Sequence, residues 1–238
     1  MYIYKLQQLD GEGNREYVYR SLRESIIKAT IKPGETISEP QLQQYFNVSR
    51  SPIREALSIL QHENLIKVEP KKKTSVVLID REYILESRLL RCRMEKEVLL
   101  NICTKMDTAP LVKELTEIIK KAEELINKKD SIKIIFDYDT LFHATIFKYS
   151  GLKYVWDMIR TSNIQYNRFL NLYIEEKLYG KHFIHDHKML IKWLKNKQIE
   201  SLIDYTNNNF DRIAVYLKEI EARHPDYFLP EDTSEQKQ

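Results

Sequence analysis

The chain has 238 residues, 42% of them hydrophobic, enough for two domains of ordinary size with packed cores. Its net charge of only +3 excludes a wholesale polyanion binder and favours a local basic patch, and lysines and arginines do cluster at 50–54 and 71–73. No apolar run approaches membrane-spanning length, residues 1–6 lack the apolar core of a secretion signal, and two cysteines are too few for a disulfide framework, so a reducing cytoplasm is the expected compartment.

In chain order, residues 1–14, closing on Gly11-Glu-Gly-Asn14, read as a flexible extension. Val18, Leu22, Ile26 and Ile27 then predict a helix over 16–29, stopped by the Pro and Gly of Ile31-Lys-Pro-Gly34. Ser38 with Gln41 three residues on is the pattern of a capping box, followed at helical spacing by Leu42, Tyr45 and Phe46. Asn47-Val-Ser49 is a tight connection, because Asn tolerates left-handed backbone angles. A second helix starts near Ser49 to Ser51 with Pro52 in its first turn, where a missing N–H costs little, and Ile53, Ala56, Leu57 and Leu60 form its inward stripe. Arg50, Ser51 and Arg54 are left outward near the N-terminus, the end that a helix-turn-helix inserts into the major groove. Their guanidinium groups, one helical turn apart, can fork onto guanine edges or grip phosphates. Two β-rich runs, Leu65 to Val68 and Ser75 to Leu78, flank a basic tip in which Lys71, Lys72 and Lys73 would track the phosphate backbone. Helix, helix-turn-helix and basic hairpin make a winged helix-turn-helix over residues 15–80.

These residues resemble the N-terminal domain of GntR-type bacterial transcription regulators. The likeness rests on Ile31-Lys-Pro-Gly-Glu-Thr-Ile-Ser-Glu39, Val48-Ser-Arg-Ser-Pro-Ile-Arg-Glu-Ala-Leu57 and Leu60-Gln-His-Glu-Asn-Leu65, which occur in the family's order and spacing. The resemblance implies that Arg50 and Arg54 read the operator. Three positions depart from the family: Pro40 replaces a usual arginine, Lys73 a usual wing-tip glycine, and Asn64 a glycine after the recognition helix. Base readout is therefore expected to rest on Arg50, Ser51 and Arg54, with the wing lysines on phosphates.

Beyond a short linker the pattern changes, because glycine and proline nearly vanish between Tyr83 and Ala222. Apolar spacing predicts six helices, at 82–104, 109–128, 131–149, 152–177, 182–196 and 199–221, joined by short polar connections that make neighbours antiparallel. The predicted fold is thus mainly α, a winged helix-turn-helix followed by an all-α antiparallel bundle over 81–222, with residues 223–238 as a disordered tail. Cys92 and Cys103, eleven residues apart on one predicted helix, lie too far apart to bridge.

Several polar residues occupy inward positions of the bundle. Asp139 and His143 share a face with Ile135, Phe142 and Ile146, His187 with Leu190, Ile191 and Leu194, and Asn209 with Leu202, Tyr205, Ile213 and Tyr216. Buried without partners, such groups cost roughly 2 to 7 kcal/mol each, so they need each other, water or a metal. Tyr166 and Tyr205 are candidates to line a cavity there.

Residues 83–221 resemble the helical effector-binding domain called FCD, of the FadR subfamily, in which many members hold a divalent metal with an Asp, a His four residues later and two further His. Asp139, His143 and His187 match that pattern, and Asn209 stands where the fourth ligand is usually His. The resemblance implies a divalent metal (Zn, Ni or Mn), with Asn209 as a weaker fourth ligand. It also implies an effector site beside these residues, where Arg91, in the matching segment Arg91-Cys-Arg-Met-Glu95, is either an inward partner for a carboxylate or half of an intrahelical ion pair. The expected function is that of a one-component transcription regulator, a repressor, that binds double-stranded operator DNA as a homodimer under control of a small carboxylate metabolite. It is not expected to be an enzyme or to engage a membrane. Two alternatives differ in class. One is a metal-dependent hydrolase, which a hydrolase screen with zinc would reveal. The other is a dimeric DNA-binding protein whose bundle is purely structural, which would bind neither metal nor organic acids.

Overall fold

The computed structural model describes residues 1–230 apart from residue 5 and segments 70–72, 127–130 and 176–179. The chain falls into two compact units: residues 1–81 together with the C-terminal segment from Glu221, and residues 82–220.

In the first unit, α1 (Asn14–Ile27) buries Tyr17, Val18, Leu22 and Ile26, the expected apolar face. After a turn comes β1 (Thr36–Ile37), then α2 (Glu39–Phe46) and α3 (Arg50–His62). Asn47, at φ 55°, takes the left-handed conformation that lets the chain reverse between α2 and α3. Pro52 lies in the first turn of α3, whose buried face is Ile53, Ala56, Leu57 and Leu60. Asn64, also left-handed at φ 54°, ends that element and sends the chain into β2 (Ile66–Glu69) and β3 (Lys73–Val76). Tyr17 packs edge-on against Phe46, at 5.5 Å between centroids, and joins α1 to α2.

Four local expectations need correction. Ser38 does cap α2, but its side chain makes no capping hydrogen bond, so the box with Gln41 does not form. The wing is a three-stranded antiparallel sheet of order β1-β3-β2, not a two-stranded hairpin. Its extra strand is positioned by Gly34, whose N–H donates to Val76 O at 2.9 Å from a positive φ of 79°. The N-terminal extension is docked rather than free: Ile3 is buried, Tyr4 N–H donates to Ser25 Oγ at 2.9 Å, and the terminal ammonium meets Glu35 at 2.8 Å. The C-terminal segment is likewise built in as far as Leu229. Past a 3-10 turn at Pro225–Tyr227, Phe228 is buried and pairs in parallel with Ile79. Ile79 N–H donates to Tyr227 O at 2.8 Å, Leu229 N–H to Ile79 O at 2.9 Å, and Arg81 Nε to Glu221 Oε2 at 2.9 Å. Ile3 and Phe228 explain the last two corrections, because one buried apolar side chain can anchor an otherwise polar segment.

The second unit is all helical: α4 (Arg81–Lys105), α5 (Ala109–Ile126), α6 (Ser131–Tyr149), α7 (Lys153–Ser162), α8 (Ile164–Glu175), α9 (Gly180–Lys195) and α10 (Ile199–Arg223). The single helix expected over 152–177 is two, because the chain leaves helical hydrogen bonding at Asn163, whose N–H reaches back only to Arg160 O. α5 packs on both α6 and α9 through Leu111, Leu115, Ile118, Ile119 and Ala122. Cys92 and Cys103 are buried and free. No helix among the described residues is long and apolar enough to cross a membrane.

Candidate functional site

The core-facing stripe of α4 runs Ile84, Arg88, Arg91, Glu95, Val98 and Ile102, so three charged residues occupy the middle of an otherwise apolar face. All three are buried to about the same depth, each about 4% exposed. Charge in such a place persists only if it is paired. For Arg91 and Glu95 the partners come from α6, and α9 adds a histidine. Asp139 and His143, one turn apart on α6, face Arg91 and Glu95, and His187 of α9 closes the group.

Asp139 is the hub. Its Oδ1 lies 3.5 Å from His143 Nε2 and 3.4 Å from His187 Nε2, while its Oδ2 accepts from Arg91 Nη2 at 3.3 Å. Ligand atoms of Asp139, His143 and His187 all fall within 4.8 Å of one another. Each imidazole has its other nitrogen against an oxygen. His187 Nδ1 donates to Phe183 O at 2.7 Å, the carbonyl having no proton to give, so in the neutral ring the lone pair is on Nε2, which faces the cluster. His187 Nε2 is buried and has no hydrogen-bond partner among the described residues. His143 Nδ1 approaches Glu95 Oε1 at 2.6 Å, but without hydrogen-bond alignment. Phe142 and Phe183 wall in the His187 ring, each with its centroid 4.4 Å away.

The electrostatics follow from this packing. Burial alone would raise Glu95, yet His143, Arg91 and Arg88 pull its carboxyl down to about 2. Burial opposes the charge on Asp139 too, but Arg91 and His143 hold it well below the usual carboxylate range. His143 is pushed down by burial and by Arg91 and lifted more strongly by Glu95 and Asp139, so its pKa ends above the ordinary imidazole value. The carboxylates thus favour the charged form of His143, and a bound metal would take the place of its proton.

Around the cluster, Arg91 is engaged by Asp139 and by Glu95 Oε2 at 3.7 Å, and lies over the Trp156 ring at 5.5 Å. Arg91 is therefore inward and paired across the core, as well as along its own helix. Asn209 does not point its carbonyl oxygen at the Asp/His/His group, because that oxygen accepts from Arg88 Nη2. Tyr166 is buried beneath Arg88, 4.6 Å from ring centroid to guanidinium. Tyr205 is half-buried and lines a cleft of about 680 Å³ with Asp186, Trp193 and Tyr216, while burial and the charges of Glu95, Asp186 and Asp139 push its phenol pKa up. Arg88 is the residue that sequence reasoning missed. Its signal was its spacing: three before Arg91 and four after Ile84, it falls on the buried stripe, not on the solvated face where a helical arginine is usually put.

On the first unit, Arg50, Ser51 and Arg54 are exposed in the opening turns of α3 and share one shallow surface with Glu55 and Ser58. Arg50 Nε is held by Glu39 Oε2 at 3.0 Å, and Ser51 Oγ donates to Glu55 Oε1 at 2.9 Å. Lys73 is exposed at the start of β3, whereas Lys71 and Lys72 lie outside the described residues.

Residues 14–76 match the family of bacterial regulatory proteins, gntR family, and residues 86–209 match the FCD domain. The gluconate operon transcriptional repressor of Bacillus licheniformis is 30% identical over 197 residues, covering 81% of this chain and 80% of that protein. The gluconate operon transcriptional repressor of Bacillus subtilis (strain 168) is 28% identical over 219 residues, covering 89% and 88%. Among solved structures, Escherichia coli McbR/YncC aligns with a TM-score of 0.65 at 20% identity, over 87% of this chain and 98% of that one. At that identity the likeness speaks for the fold.

Proposed function

Since the chain belongs to the GntR family of bacterial regulatory proteins, carries an FCD domain and is a transcriptional regulator, we propose that it is a cytoplasmic repressor whose operator affinity is set by a small carboxylate bound in the helical unit. The observation that carries this reading is the convergence of Asp139, His143 and His187 with Arg91 and Glu95 inside a helical core. Asp139 and the two Nε2 atoms suit a divalent metal of the Zn, Ni or Mn kind by donor type, and the orphaned, buried Nε2 of His187 is left ready for one. When bound, that ion would supply a Lewis-acidic point for a carboxylate oxygen. This chain's own residues hold the site in shape: Phe183 O fixes the His187 tautomer, Arg91 orients Asp139, and Glu95 sits against His143. Tyr166 and Tyr205 lie on its flanks. Asn209 would join as a fourth ligand only by releasing Arg88. The relatives named as gluconate operon repressors favour both the repressor sign and a small organic acid.

On the DNA side, Arg50, Ser51 and Arg54 read bases, and Lys71, Lys72 and Lys73 sit on phosphates. A homodimer matches a two-half-site operator, and Leu89 and Leu90, exposed on α4, are apolar surface of the kind a second copy covers. The FadR-subfamily assignment belongs to this same reading. Operator fragments selected by the protein from a random pool, titrated with and without Mn²⁺ and a panel of organic acids, test it. Operator affinity should change with at least one acid, and affinity indifferent to every metal and acid would remove the effector mechanism.

A further inference from the structure

Arg88 is the buried charge that the pairing around Asp139 leaves over. Its neighbour Arg91 meets two carboxylates, at 3.3 and 3.7 Å. Arg88 donates from Nη2 to a neutral amide oxygen, that of Asn209, and rests its face on the Tyr166 ring. Nε and Nη1 are buried and lack a hydrogen-bond partner among the described residues. A guanidinium at this depth, with one neutral acceptor and two idle donor atoms, is costly to maintain unless an anion reaches it. The same stretch of core holds two more buried nitrogens without an aligned hydrogen bond, Arg91 Nε, 3.7 Å from Glu95 Oε2, and His187 Nε2, 3.4 Å from Asp139 Oδ1.

We propose that Arg88, held by Asn209, is the residue that receives the carboxylate of the effector, and that Arg91 serves instead to hold Asp139. This rests on the reading of the helical unit as a carboxylate effector site and assigns its anion-reading residue. The amide at 209 is part of the same device. Its oxygen can accept from a guanidinium while leaving the charge uncancelled, whereas an imidazole spending its lone pair on a metal could not accept, and an aspartate would neutralise Arg88 and repel the ligand. The chemical class expected is a small organic acid whose carboxylate takes N–H donors from Arg88.

Isothermal titration of the full chain with acetate, citrate and gluconate, beside metal content by mass spectrometry, tests this. Arg88→Met should weaken the tightest of the three by about tenfold or more, with metal content unchanged. Asn209→Asp, nearly the same size, should weaken it comparably by giving Arg88 an internal carboxylate, and it decides the matter if Arg88→Met does not fold. Wild-type affinity in a folded Arg88→Met protein, or in Asn209→Asp, would overturn the assignment and leave the effector site standing. No binding of any of the three to the wild-type chain would take down the effector site and this assignment with it.

Discussion

The two units of this protein place charge in opposite ways. In the winged unit the interior is apolar, built from Val18, Leu22, Ile26, Ile53, Leu57 and Leu60, and the cations Arg50 and Arg54 of α3 are exposed. In the helical unit Arg88, Arg91, Glu95, His143 and His187 lie inside the core. A partner as large and highly charged as DNA comes to an exposed face, and long-range attraction guides it there. A small acid must be enclosed to be distinguished, so its recognition groups have to be buried, held in place by their neighbours and left with donors to spare for the ligand. On the function proposed above, buried charge in this chain marks a ligand site more than a source of stability.

Substitutions can break the contrast at several points, the most damaging being in the charged core. Asp139→Ala strips Arg91 and both imidazoles of their shared carboxylate and should cost about 3–5 kcal/mol in chemical denaturation, as removal of one partner from a buried pair does. If it costs nothing, the charges are not coupled as their distances suggest. Leu60→Ala, in the fully buried apolar face of α3, should cost roughly 2–5 kcal/mol by the same measurement while leaving metal content alone. His187→Ala should abolish metal retention after dialysis, read by mass spectrometry, and leave the winged unit's operator contacts in place. Arg54→Ala should weaken specific operator binding by about 1–3 kcal/mol and relax base preference, with no loss of folding stability because the side chain is exposed. Lys73→Ala should lower affinity evenly across sequences and reduce the slope of log affinity against log salt by about 1. A change in base preference from Lys73→Ala would blur the division between reading and gripping.

Much of the winged unit was legible because its punctuation is chemical. Asn47 and Asn64 mark left-handed positions, Pro52 fits a first turn, and the stripe from Ile53 to Leu60 has unmistakable helical spacing. β1 was not legible, since a two-residue strand leaves no alternation to read and exists through its pairing with β3. The break at Asn163 was hidden because α7 and α8 continue one another's apolar pattern. In the helical unit, Asp139, His143 and His187 stood out as polar residues on apolar faces, and the structure does bring them together. Arg88 did not stand out, because an arginine on a helix can just as well lay its stem on the surface and keep its charge in water. Only the burial of α4 on that side decides between the two.

The pairing of Phe228 with Ile79 has a consequence in time. A chain made from its N-terminus has α3, β2 and β3 well before residues 225–229 exist, yet those later residues supply part of the unit's interior and a β-bridge to Ile79. The half of the protein that meets DNA is therefore completed only once the chain has been made as far as Leu229. A nascent or prematurely terminated product lacks it, and so does any fragment cut after Arg81.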